Sequence, residues 1–136
     1  MSNPWHPWNV PRGHPEGLFR VIGLIVDAKD VEIRTGFKDY IVIPYDGTII
    51  GWYLFADQSG DIVVDVWKDI WDNFPPTVAD TIAGSEKPTL SAQVKNQDHA
   101  LPSWTTDIKA GDVIGFNVDS VSTVTKITLE LRVRPS

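Results

Sequence analysis

Residues 57–76 read DQSGDIVVDVWKDIWDNFPP, and this stretch decides the fold. Gln58-Ser59-Gly60 carries turn chemistry, because glycine tolerates the positive φ that a tight turn often needs. A period of two follows. Ile62, Val64 and Val66 fall on one face; Asp61, Val63, Asp65 and Trp67 fall on the other. The pattern predicts a strand with one dry face and one mixed face. It closes at Asn73-Phe74-Pro75-Pro76, where two prolines withhold ladder donors. A helix over the second half is the weaker alternative, since Asp, Trp and Ile are middling helix formers and the run is short.

The same chemistry repeats on both sides. Residues 18–28 form a nearly continuous apolar run, as a buried strand does. Gly36 marks a turn. YIVIPY (40–45) is a strand, with Pro44 placing its end at a sheet edge. Asp46-Gly47 is a two-residue hairpin signal leading into a strand over 48–56, in which Trp52 and Leu54 share a face. Downstream, 77–84 reads as one helical turn or a short strand, and the polar stretch 89–97 as neither clearly. A turn over 109–112 leads into a strand over 113–118 with Ile114, Phe116 and Val118 on its dry face; Asp119-Ser120 turns again. Residues 123–134 alternate most cleanly: Ile127, Leu129, Leu131 and Val133 inward, Lys126, Thr128, Glu130, Arg132 and Arg134 outward. Short strands at close spacing, with no helix of ten residues required, predict an all-β antiparallel β-sandwich over 18–136. A jelly roll of about eight strands and an Ig-like sandwich both fit this spacing.

Residues 1–17 differ in kind. Pro4, Pro7, Pro11 and Pro15 impose extended geometry on themselves and their predecessors, so this is an extended arm. A floppy terminus is the alternative, but Trp5 and Trp8 argue for contact, because disordered segments are poor in aromatics. Burying each contributes about 4–6 kcal/mol gross. Ordering the arm costs about 1–2 kcal/mol per residue, less at proline, so the tryptophans alone do not offset it. The arm is therefore expected to gain backbone hydrogen bonds from a partner surface, with Trp5, His6, Trp8, Val10 and Arg12 as the contact residues.

Composition narrows the chemistry. Twelve Lys and Arg against eighteen Asp and Glu give a net charge of −6, and no cysteine is present among 136 residues. The negative balance disfavours nucleic acid as partner. Lack of cysteine removes disulfides and thiolate metal sites. No apolar run approaches the roughly 18 residues of a membrane span, and the N-terminus lacks the pattern of a secretory signal. Asp61, Asp65, Asp69 and Asp72 would share a face on a helix and could collect a hard cation. On a strand the first two lie about 13 Å apart, so a solvated acidic face is expected and no metal. His6 and His14 lie eight residues apart, without zinc-site spacing. No G-x-S-x-G or Ser-His constellation is visible, so neither catalysis nor a cofactor is expected. Trp67, Trp71, Phe74 and Trp104, with Asp69, Asp72 and Asn73, have the chemistry of a glycan site: aromatic faces stack on sugar rings while carboxylates and amides take hydroxyls. The alternative is that these aromatics fill the core or a subunit interface.

GTIIGWYLFADQSGDIVVDVWKDIWDNFPPTVADTIAGSEKPTLSAQ (47–93), with LPSWTT (101–106) and AGDVIGFNVDS (110–120), resembles a domain widespread in tailed bacteriophages. That domain is often found at the end of tail-fibre-like or unassigned virion proteins. The resemblance spans about residues 21–133 and leaves 1–20 outside. It implies a structural protein of a phage virion, and by analogy with the folds of viral proteins a jelly roll of about eight strands is favoured over an Ig-like sandwich. The expectation drawn from it is a capsid decoration or cement protein on the head surface, a homotrimer that holds the major capsid protein through its arm. The alternative is a tail-fibre or tail-tip module that recognises a host surface glycan.

Overall fold

The computed structural model describes residues 19–136, so the arm lies outside the described residues. Among the described residues there are seven strands: β1 (Arg20–Asp27), β2 (Lys38–Val42), β3 (Gly47–Ile70), β4 (Thr89–Asp98), β5 (Asp107–Ile108), β6 (Asp112–Ser122) and β7 (Lys126–Pro135). All pair antiparallel. Two of them are long enough to serve twice. The first half of β3 lies between β7 and the end of β4; its second half lies between β6 and the start of β4. The result is one curled sheet that closes into two four-stranded layers. The first has the order β1, β7, early β3, late β4. The second has the order β2, β6, late β3, early β4. With each half of β3 and β4 counted separately and the two-residue β5, which pairs only with the start of β3, left aside, the layers hold eight strands in the order of a jelly roll.

The alternation read from the sequence fills the space between the layers. Ile62, Val64 and Val66 of late β3 are fully buried, facing Ile127, Leu129, Leu131 and Val133 of β7 across one core that also takes Ile22, Leu24, Trp52, Leu54 and Phe116. At about 25 cal/mol per Å² of apolar surface, this continuous core is the main stabilising term.

Several local expectations change. Asp46-Gly47 does not close a hairpin: β2 pairs with β6 while early β3 pairs with β7, so the chain here crosses between layers. Gly47 is needed for close approach, since a Cβ there would sit 2.8 Å from the Arg134 carbonyl oxygen. Gln58-Ser59-Gly60 is likewise no tight turn but the corner of an unbroken strand, with bulges between Phe55 and Ile62. Gly60 has no positive φ; its missing Cβ makes room for Thr123 and Val124. Residues 89–97 form a strand whose bend falls at Ala92, φ 50°. Asp119 and Ser120 continue β6, and the reversal into β7 comes at Thr123, φ 70°.

Candidate functional site: an aromatic ledge beside a buried carboxylate

The outer face of the second layer is where the mixed face of β3 emerges. Asp65 stands in its middle, directly opposite Asn117 of β6, and is fully buried. The expected solvated acidic face is wrong at this position. Asp65 Oδ1 accepts the Val66 amide at 2.8 Å and the Thr81 hydroxyl at 2.6 Å; Oδ2 accepts the Trp67 indole N–H at 2.9 Å. Lys87 Nζ lies 3.6 Å away and donates to Asp119 at 2.7 Å, while Asn117 donates to the other Asp119 oxygen at 2.6 Å. The hydrogen bond to Asp119, reinforced by the charge of Asp65, raises the Lys87 pKa against the opposing effect of burial. Every partner of Asp65 belongs to the fold, so the carboxylate acts as a fastener between β3, β6 and the connection 81–87. Its neighbours Asp61 and Asp69 are also engaged internally, with the Ala92 amide and with Ile70 and Asn73.

The exposed chemistry lies one step along, where β3 ends. A short 3-10 turn, Trp71–Asn73, throws the chain back over the sheet toward Phe74 and a cis Phe74–Pro75 bond. Tyr40 of β2 rests on Gly115 of β6, where a Cβ would meet its ring at 3.1 Å. Phe74 meets Tyr40 edge-on at 5.1 Å, and Trp71 tilts against Phe74 at 5.9 Å. This builds an outward-facing aromatic ledge in which Trp71 is 61% exposed and Phe74 48%. Beside it, Asp69 Oδ1 accepts from the Ile70 amide at 2.7 Å and from Asn73 Nδ2 at 3.0 Å, fixing a carboxylate and an amide next to the rings. Val42 and Ile70 lie at the same end of the layer, since Val42 and Asp69 flank Val113 of β6, and both are exposed; in the connection that follows, Val78 is exposed too. That connection is pinned by a capping box between Thr77 and Asp80.

The residues predicted for a glycan site thus part company. Asp69, Trp71, Asp72 and Asn73 remain together around the turn, with Trp71, Asp72 and Asn73 exposed. Trp67 is buried between Asp65 and the Lys38 ammonium, 5.9 Å above its ring. Trp104 belongs to the core and donates its indole N–H to the Glu86 carbonyl at 2.9 Å. Both follow the alternative reading, as core and structural residues. Trp5, His6, Trp8, Val10 and Arg12 lie outside the described residues. Sequence reading missed Tyr40 as a ledge residue. The signal was available in the alternation Lys38, Tyr40, Val42, but only the pairing of Tyr40 with Gly115 shows which face is covered and by what.

A second concavity of about 620 Å³ lies on the outer face of the first layer, lined by Tyr53, Phe55, Lys95 and Gln97. Tyr53 is held there between His99, at 5.0 Å between ring centroids, and the Arg132 guanidinium, 4.9 Å over its ring.

No protein-family model and no curated protein matches this chain. Among solved structures it is similar to RmlC from Streptococcus suis in complex with dTDP-D-xylose, at 12% identity and a TM-score of 0.33 over 89% of this chain and 46% of that one. It is also similar to a chain of infectious bursal disease virus, Gx strain, at 12% identity and a TM-score of 0.27 over 87% of this chain and 37% of that one. The chain therefore spans less than half the length of either. The fold assignment rests on strand order, and neither likeness carries function.

Proposed function

We propose that this chain is a structural protein of a tailed-phage virion, a decoration or cement protein that docks on the capsid head through its aromatic ledge. The observation that carries this reading is the ledge itself. Trp71 and Phe74, in ring contact with each other and propped on Tyr40, are 61% and 48% exposed. Large apolar side chains gathered in this way mark a surface that a partner covers. Trp, with Tyr and Arg, is enriched among the residues that dominate binding energy at interfaces. The phage-domain resemblance over 47–93 supplies the virion context. The role needs no catalysis: the protein stabilises a lattice by binding it.

Purified chain added to heads that lack it should bind and raise the temperature at which they burst. Trp71→Ala should weaken binding about 10- to 30-fold, equivalent to about 1.4–2 kcal/mol. Unchanged burst temperature with saturating protein sinks the decoration role.

A second reading is favoured by the Asp69–Asn73 pair. A fixed carboxylate and amide beside exposed rings is the chemistry that recognises a sugar, which would suit a tail-tip receptor module. Retention of the chain on host surface polysaccharide, lost in Trp71→Ala and kept in Val78→Ala, would favour this reading over docking on the head.

A further inference from the structure

The groove on the outer face of the first layer has a chemistry of its own. It lies over the β3–β4 ladder, where Tyr53 stands opposite Gln97 and Phe55 opposite Lys95. Direct partners in an antiparallel pair share a face, so these four side chains project outward together. Leu54 and Asn96 alternate with them and turn inward: Leu54 is fully buried, and Asn96 donates to the Thr89 carbonyl at 2.8 Å. The groove volume, about 620 Å³, falls within the roughly 300–1,000 Å³ of small-ligand sites.

Phe55 provides the apolar surface. It is 41% exposed, although Thr128 on one side and Lys95 on the other are its direct strand partners. Tyr53 has a different part. The Arg132 guanidinium lies over its ring and His99 meets it edge-on, so Tyr53 is a fixed wall and Phe55 is the ring on which a ligand stacks.

The polar groups beside these rings are donors. His99 Nε2 donates to Gln97 Oε1 at 3.1 Å, because an amide oxygen only accepts, and this turns the Gln97 amino group away from the imidazole. Lys95 is exposed next to Phe55. Arg132 stands behind Tyr53, with Glu130 Oε1 at 3.7 Å, an ion pair too long for a hydrogen bond. Around the rings, then, Lys95 and Arg132 oppose Glu130, a positive balance on a chain whose net charge is −6. Further along the same face Lys126 and Arg134 balance Asp27 and Asp57.

We propose that this groove binds an acidic sugar, a uronate residue of a polysaccharide. One C–H face of the pyranose stacks on Phe55, the carboxylate pairs with the Lys95 ammonium, and the Gln97 amide donates to a ring hydroxyl. A single carboxylate on each ring suits one forward lysine. A phosphate chain requires cations in clusters, which this face does not gather among the described residues. A neutral sugar leaves the lysine without a partner. The site lies on the opposite layer from the ledge and stands whether or not the ledge binds a capsid.

Titration of the full chain with trigalacturonate, followed through backbone amide resonances, tests the proposal. Phe55, Lys95 and Gln97 should shift together and saturate. Maltotriose, of equal length without carboxylates, should bind at least about 10-fold more weakly, and Lys95→Gln should raise the Kd for trigalacturonate by a similar factor. Lys95 is at the surface, so this variant should keep the native unfolding midpoint. Phe55→Ala should also lose binding, and Trp71→Ala should bind as the native chain does. Failure of these three amides to shift saturably overturns the proposal. So does equal affinity for maltotriose or for a thymidine trinucleotide, and so does an undiminished affinity in Lys95→Gln. Binding that disappears in Trp71→Ala would assign the sugar to the ledge and overturn it equally.

Discussion

At the scale of single residues, Asp65 shows how a charge can belong to the interior of this fold. Its carboxylate receives three hydrogen bonds and faces an ammonium, so the cost of burial is offset locally. Asp65→Ala leaves Lys87, the Trp67 indole and the Thr81 hydroxyl without this partner. The expected loss is about 2–4 kcal/mol of unfolding free energy, read from the midpoint of chemical denaturation. A loss below about 0.5 kcal/mol would mean the network is incidental. Lys87 gives a pH signature. Its folded pKa is raised above the ordinary value of 10.5 by the bond to Asp119. The stabilisation is therefore complete below 10.5 and is lost as pH climbs through the raised folded value. Denaturation midpoints should fall in that alkaline window for the native chain, and less steeply for Lys87→Met. Nothing in the local sequence marks Asp65 as different from Asp61 or Asp69. All three sit at alternating positions of one strand, and only the fold decides which meets a lysine from 22 residues away.

At the scale of elements, the informative contrast is between face and connection. The inward sets of β3, β6 and β7 were legible because period-two alternation is a local property of the chain. Connections were not, because turn chemistry and close approach both use glycine. Gly47 and Gly60 read as hairpin and turn residues, yet both serve where another backbone presses in. β4 was obscured by its own surface. Only Leu90 of its ten residues is buried, so the apolar alternation that reveals the other strands is missing. The β3 corner makes a testable point. A Cβ at Gly60 would collide with Thr123 Oγ1 and lie 2.8 Å from the Ser122 carbonyl oxygen. Gly60→Ala should therefore cost about 1–3 kcal/mol through overpacking. A neutral effect would show that the β6–β7 reversal yields easily.

At the scale of the whole molecule, a jelly roll of this size buries one continuous core and leaves its specificity to what its faces carry outward. Two layers built from the same two long strands hold the ledge on the β3 exit and the Tyr53 groove on opposite outer faces. The ledge was half legible from sequence. The aromatic and acidic residues of 67–73 announced a site, but Trp67 and Trp104 turned inward because their indole N–H groups found Asp65 and the Glu86 carbonyl. What remains outward is Trp71 and Phe74, propped on Tyr40, and the proposed function depends on those rings. The most direct test is co-sedimentation of the purified chain with phage heads that lack it, run beside Trp71→Ala. The native chain should pellet with heads to a fixed, saturable stoichiometry, and Trp71→Ala should stay largely in the supernatant while unfolding at the native midpoint. A native chain that never pellets, or a variant that pellets equally well, would contradict the assignment of the ledge as the docking surface.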